Sequence, residues 1–123
     1  MIYKEERGAA AVELAIILPI LLTLLFGIIE FGRAYNASIV VTHAAREAVR
    51  KVALGATNPQ AITAGQLAGN SLLGGVSVTI THSCPADLVA KAKVTHKFTF
   101  EIPGVPKLKL VEISKTATML CGG

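Results

Sequence analysis

A lone carboxylate, Glu13, stands near the start of a run of apolar residues, and no other charge follows until Glu30. An unpaired carboxylate inside a bilayer costs at least about 2.5–3.5 kcal/mol, so such a group faces a partner or an aqueous path. A cut between Gly8 and Ala9 would create an amine one helical turn before Glu13. That amine, on the same chain or on a neighbouring subunit, is a cation the carboxylate could meet in lipid. The pair would then set the register in which subunits assemble, as a buried polar group selects one packing over its slips. The plainer reading is an interfacial acid near a helix N-terminus, favoured by the macrodipole and unconnected with processing.

The other polar side chains carry less. Glu30 precedes Arg33 by three residues at the far end of the apolar run, where an i,i+3 ion pair at a membrane boundary accounts for both. Cys84 and Cys121 have neither zinc nor redox spacing. They form a disulfide if their domain lies outside the cytoplasm, and are otherwise two independent small apolar residues. His43, His82 and His96 are dispersed, with no carboxylate at ligand spacing, and His96 falls on the apolar face of an alternating stretch. Asp87 is ordinary turn chemistry. With no nucleophile motif and no phosphate-binding loop, the chain is expected not to be an enzyme and to need no metal or cofactor.

The elements that position these groups follow from period. Residues 9–31 are long enough to span a bilayer, which takes about 20 apolar residues. This is long for the core of a secretory signal, and "EFGRAYNAS" after it offers no convincing small-x-small cleavage site. Pro19 and Gly27 lie within it. Residues 32–55 continue the helix amphipathically, with Ile39, Val40, Ala44, Ala45, Ala48, Val49, Val52 and Ala53 recurring at steps of three or four before Gly55 stops it. Thr57 or Asn58 can cap a short second helix with Pro59 in its first turn. That helix reaches about Leu73, with Ile62, Leu67, Leu72 and Leu73 inward.

From residue 76 the period becomes two. Val76, Val78 and Ile80 share one face of a first strand, and Ala92, Val94, Phe98, Phe100 and Ile102 share one face of a second. Residues 107–120 give a third strand and room for a fourth. The fold class is α+β: a long transmembrane and amphipathic helix, a short second helix, and a small C-terminal antiparallel sheet of three to four strands. Residues 56–123 form the small head.

Composition agrees with this division. Of the 123 residues 52% are hydrophobic, an excess concentrated in the first third. The formal net charge of +4 is mild and scattered, and no aromatic residues interleave with the cations, which argues against nucleic acid as a partner.

The run "RGAAAVELAIILPILLTLLFGIIEFGRAY", preceded by Lys4, resembles the class III signal of type IV pilins. More specifically, it resembles the TadE-like minor pilins of the tight-adherence (Flp) pilus system. The resemblance implies a leader of residues 1–8 removed by a prepilin peptidase, with Gly8 before the cut and Ala9 as the new N-terminus. It makes Glu13 the fifth residue of the mature chain. Implied partners are that peptidase, other pilin-like subunits meeting the N-terminal helix, an inner-membrane assembly platform and the lipid bilayer. The implied location is the bacterial inner membrane, single-pass, with the head outside the cytoplasm or carried into the pilus. Leu14 after Glu13, where major Flp pilins have Tyr, separates the chain from the main shaft subunit. The contrasting expectation is an uncut, single-span, membrane-anchored binding module, in which Gly8 and Glu13 have no required role.

Overall fold

The computed structural model describes residues 2–106 and 110–122, with side chains from Glu6 onward. Helix α1 is continuous from Ile2–Ala53. Alanine, leucine and isoleucine dominate it, and the interior Pro19 is accommodated without ending it. One turn on, the Thr23 hydroxyl donates to the Pro19 carbonyl at 2.8 Å. The helix stops where Gly55 adopts φ +91°, a conformation costly for any residue with a Cβ. There the Gly55 and Ala56 amides fold back on the Val52 and Lys51 carbonyls, each at 3.0 Å, and satisfy the helix end.

Only the second half of α1 is covered. Its buried stripe runs through Glu30, Ala37, Val41, Ala44, Ala45, Ala48, Val49, Val52 and Ala53. Ile39, expected inward, is exposed: it lies about 160° round the axis from Val41, which with Ala37 extends the buried stripe of Ala44 to Ala53.

Helix α2, Asn58–Ala68, packs on α1 beside the sheet. Thr57 is its cap, and its amide hydrogen donates to Gln60 Oε1 at 3.1 Å. The helix ends five residues short of Leu73, and its buried positions are Ala61 and Gly65 rather than the larger residues expected. Ile62 and Leu72 are half-buried, while Leu67 and Leu73 are exposed. The reason is close approach. A Cβ placed on Gly65 would stand 2.9 Å from Val78 Cγ2, 3.1 Å from Ala48 Cβ and 3.3 Å from the Ala44 carbonyl oxygen. At that separation only small residues fit between the helices.

Strands β1 (Ser77–His82), β2 (Val89–Phe98) and β3 (Val111–Leu120) form one antiparallel sheet in the order β1-β2-β3. Three strands are present among the described residues, and Lys107, Leu108 and Lys109, at the start of the expected third strand, lie outside them. The alternation of β2 is as expected, with Ala90, Ala92, Val94, His96 and Phe98 buried. However, the strand ends at Phe98, so Phe100 and Ile102 continue the apolar pattern without belonging to it. The chain turns away there, and the Phe100 ring packs edge-to-face on Phe98 with centroids 5.0 Å apart. The core is therefore a layer of α1 and α2 on one face of the sheet, built largely of alanine and valine.

Candidate assembly interface on the N-terminal helix

Residues 6–29 of α1 project beyond the head and are exposed apart from half-buried Phe26 and Gly27. An 18-residue window here has a mean hydropathy of 2.7, and none of it is covered by the rest of the chain. A helix this apolar and this bare fits a membrane anchor. Gly8, Ala9 and Glu13 all lie on it within unbroken helix, and all are exposed. Ala9 and Glu13 are one turn apart and share a face. No part of the described head reaches Glu13, so whatever meets its carboxylate comes from outside the chain or from its own N-terminus.

Glu30 marks the point where the head begins. It is only 5% exposed, and both carboxylate oxygens are engaged. The Arg33 guanidinium donates from Nη1 to Oε1 at 2.7 Å, the pair expected from spacing. The Glu101 backbone N–H donates to Oε2 at 3.1 Å, an interaction across 71 residues that no local pattern signals. Arg33 also lies with Cζ 5.5 Å from the Phe98 ring centroid. The boundary ion pair is thus a latch between α1 and the segment after β2. A buried carboxylate needs this full set of donors to be tolerated.

The opposite end of the covered half is closed by the C-terminus. The Gly122 amide donates to the Ala53 carbonyl at 3.0 Å, and the Cys121 amide donates to Leu88 at 3.1 Å. Cys84 and Cys121 are bonded to each other, with Cα atoms 5.8 Å apart and a sequence separation of 37. The returning strand β3 brings them together, since Leu120 pairs with Val89 at the end of the ladder.

The histidines are not gathered. His96 is buried, and its Nδ1–H donates to the Gly75 carbonyl at 2.7 Å, a core histidine fixed by one bond. His82 is exposed beside Thr81, and His43 is exposed on α1. Among the described residues no three His, Cys, Asp or Glu side chains are grouped as a metal ion would require.

The family model described as TadE-like protein matches residues 8–50, which takes in Gly8, Ala9, Glu13, the bare span and most of the covered half of α1. Over those residues the chain is similar to the TadE-like family. The match lies wholly within the long apolar helix, and the short second helix and antiparallel sheet follow it. No curated protein and no solved structure matches the chain. The head, residues 56–123, lies entirely outside the matched residues, so its account rests on its own geometry.

Proposed function

We propose that this chain is a minor pilin-like structural subunit of a tight-adherence type IV pilus, cut by a prepilin peptidase after Gly8 and needed for pilus assembly or adhesion. The observation that carries the reading is the single carboxylate Glu13 on a bare apolar helix, one turn beyond Gly8 and Ala9 and inside the family match. Cutting gives Ala9 an amine that pairs with Glu13 of the same or a neighbouring subunit. The rest of the bare helix packs among other pilin-like subunits or stays in lipid. The chain sits in the inner membrane with residues 1–8 cytoplasmic and the head outside, an orientation supported by the disulfide, which persists in oxidising compartments. It has no catalytic role of its own. Its partners are the peptidase, the assembly platform and sibling subunits, not nucleic acid.

The test is the mass and N-terminal sequence of the protein recovered from membranes of cells carrying the matching peptidase. A chain beginning at Ala9 supports the reading, and Gly8→Ala then blocks cutting. A chain beginning at Met1 despite an active peptidase overturns it in favour of an uncut anchored binding module. Glu13→Ala is expected to leave the protein in the membrane while impairing assembly, and normal assembly of that variant would remove Glu13 from the mechanism.

A further inference from the structure

The two edges of the sheet differ. Strand β1 is six residues long, and its register slips between Ile80 and His82, a device that blunts an edge against pairing. Strand β3 is ten residues long and holds one unbroken register against β2, from Val89 opposite Leu120 to Phe98 opposite Val111. Its outer row of backbone amides and carbonyls therefore presents a regular template.

The inward row of β3 is also unfinished. Ile113, Lys115 and Ala117 stand opposite His96, Val94 and Ala92, which are buried, yet none of the three is itself buried. Helix α1 lies over β2 and the near side of β3, α2 lies toward β1, and among the described residues nothing lies beyond β3. The result is a groove of about 430 Å³ between α1 and β3. Its floor is apolar, formed by Val49, Ala117 and Met119, and its rim carries Arg46, Arg50 and Lys115. Arg50 approaches Glu47 at 3.9 Å, whereas among the described residues neither Arg46 nor Lys115 has a carboxylate within ion-pair distance.

We propose that the β3 edge takes an extended, acidic segment of a partner protein as a fourth strand, its alternate side chains filling the groove against α1. Main-chain pairing along β3 supplies the attachment, and the groove selects the side chains, as in strand addition generally. Lys115, pointing inward at the middle of the edge, disfavours an apolar strand and becomes an ion pair when an acid lies opposite. A second copy of this chain is the wrong occupant. Pairing β3 with itself would bring Arg46, Arg50 and Lys115 from both copies to one seam with only a Glu47 from each to offset them, and the excess of like charge repels. The inference does not depend on cutting after Gly8.

The test uses the full chain in detergent micelles and a fluorescent ten-residue synthetic peptide in which threonine alternates with valine and glutamate. Saturable binding is expected, lost when glutamate is replaced by lysine. N-methylating every second residue of the peptide should abolish binding in one phase and spare it in the other, because only one edge of an added strand faces β3. Lys115→Glu should weaken binding roughly tenfold by replacing attraction with repulsion. Lys93→Glu makes the same charge change on the opposite face of the central strand, and should change affinity less than about twofold. The proposal is overturned by absence of saturable binding, by N-methyl phases that behave alike, by equal effects of the two lysine variants, or by cross-links joining β3 strands of two copies.

Discussion

One helix serves two halves with opposite rules. Residues 6–29 of α1 are built of leucine and isoleucine that touch nothing else in the chain, while residues 30–53 bury a stripe made mainly of alanine and valine. In the bare half the large side chains maximise apolar area facing lipid or sibling helices. In the covered half small side chains let α2 and the sheet approach closely, and packing complementarity replaces area as the source of stability. Hydrophobic content alone would rank the halves the wrong way round: the greasier half contributes least to the head.

The largest effect expected from testing this contrast lies at the closed end. Cys84→Ser combined with Cys121→Ser should lower the unfolding free energy of the head by about 2–4 kcal/mol, leaving the helicity of residues 6–29 in detergent intact. Denaturant titration followed by circular dichroism reads both. A loss below about 1 kcal/mol would assign that end to the β ladder and the Gly122–Ala53 bond instead.

The sharpest comparison uses two glycines. Gly65→Val forces a side chain between Val78 and Ala48 and should cost about 1–3 kcal/mol. Gly27→Val, on the bare half with open space around its Cβ, should move the head's melting by less than about 0.5 kcal/mol. Equal effects at the two positions would dissolve the distinction between the halves.

The smallest effect belongs to the latch at their junction. Glu30→Ala removes the acceptor for the Glu101 amide and the partner of Arg33, and should cost about 1 kcal/mol with faster hydrogen exchange at Glu101. Glu30→Gln keeps an amide oxygen in place and should retain most of the protection. Unchanged exchange in the alanine variant would mean the loop after β2 is held by Phe98 and Phe100 alone.

Much of the fold was legible in the sequence because it rests on period. The span carries no charge from Leu14 to Ile29, the covered half of α1 repeats at three and four, and β2 alternates. What escaped were contacts set by close approach or by long separation. Gly65 inside a helix pattern reads as a weakness, and only the position of Val78 shows why nothing larger fits. Leu67 and Leu73 looked like core by size and proved exposed, since the helix pair has room only for Ala61 and Gly65. Phe100 and Ile102 extended the alternation of β2 past the point where the backbone leaves the sheet. At the boundary of the head, the Glu30–Arg33 pair was identifiable from type and spacing. The Glu101 amide on Glu30 and the cationic rim beside β3 were not, because they join residues from distant segments.

The head is fastened to α1 at both limits of the covered half, by Glu30 at one and by the Ala53 carbonyl at the other, about 35 Å apart along the axis. It is keyed to the helix like a hub on a splined shaft and cannot swivel about it without releasing one fastening. Glu13 precedes Glu30 by 17 residues, which at about 100° per residue places it about 100° round the axis from the latch. Any neighbour that captures Glu13 therefore also fixes the compass bearing of the head, and with it the direction in which the open edge of β3 faces.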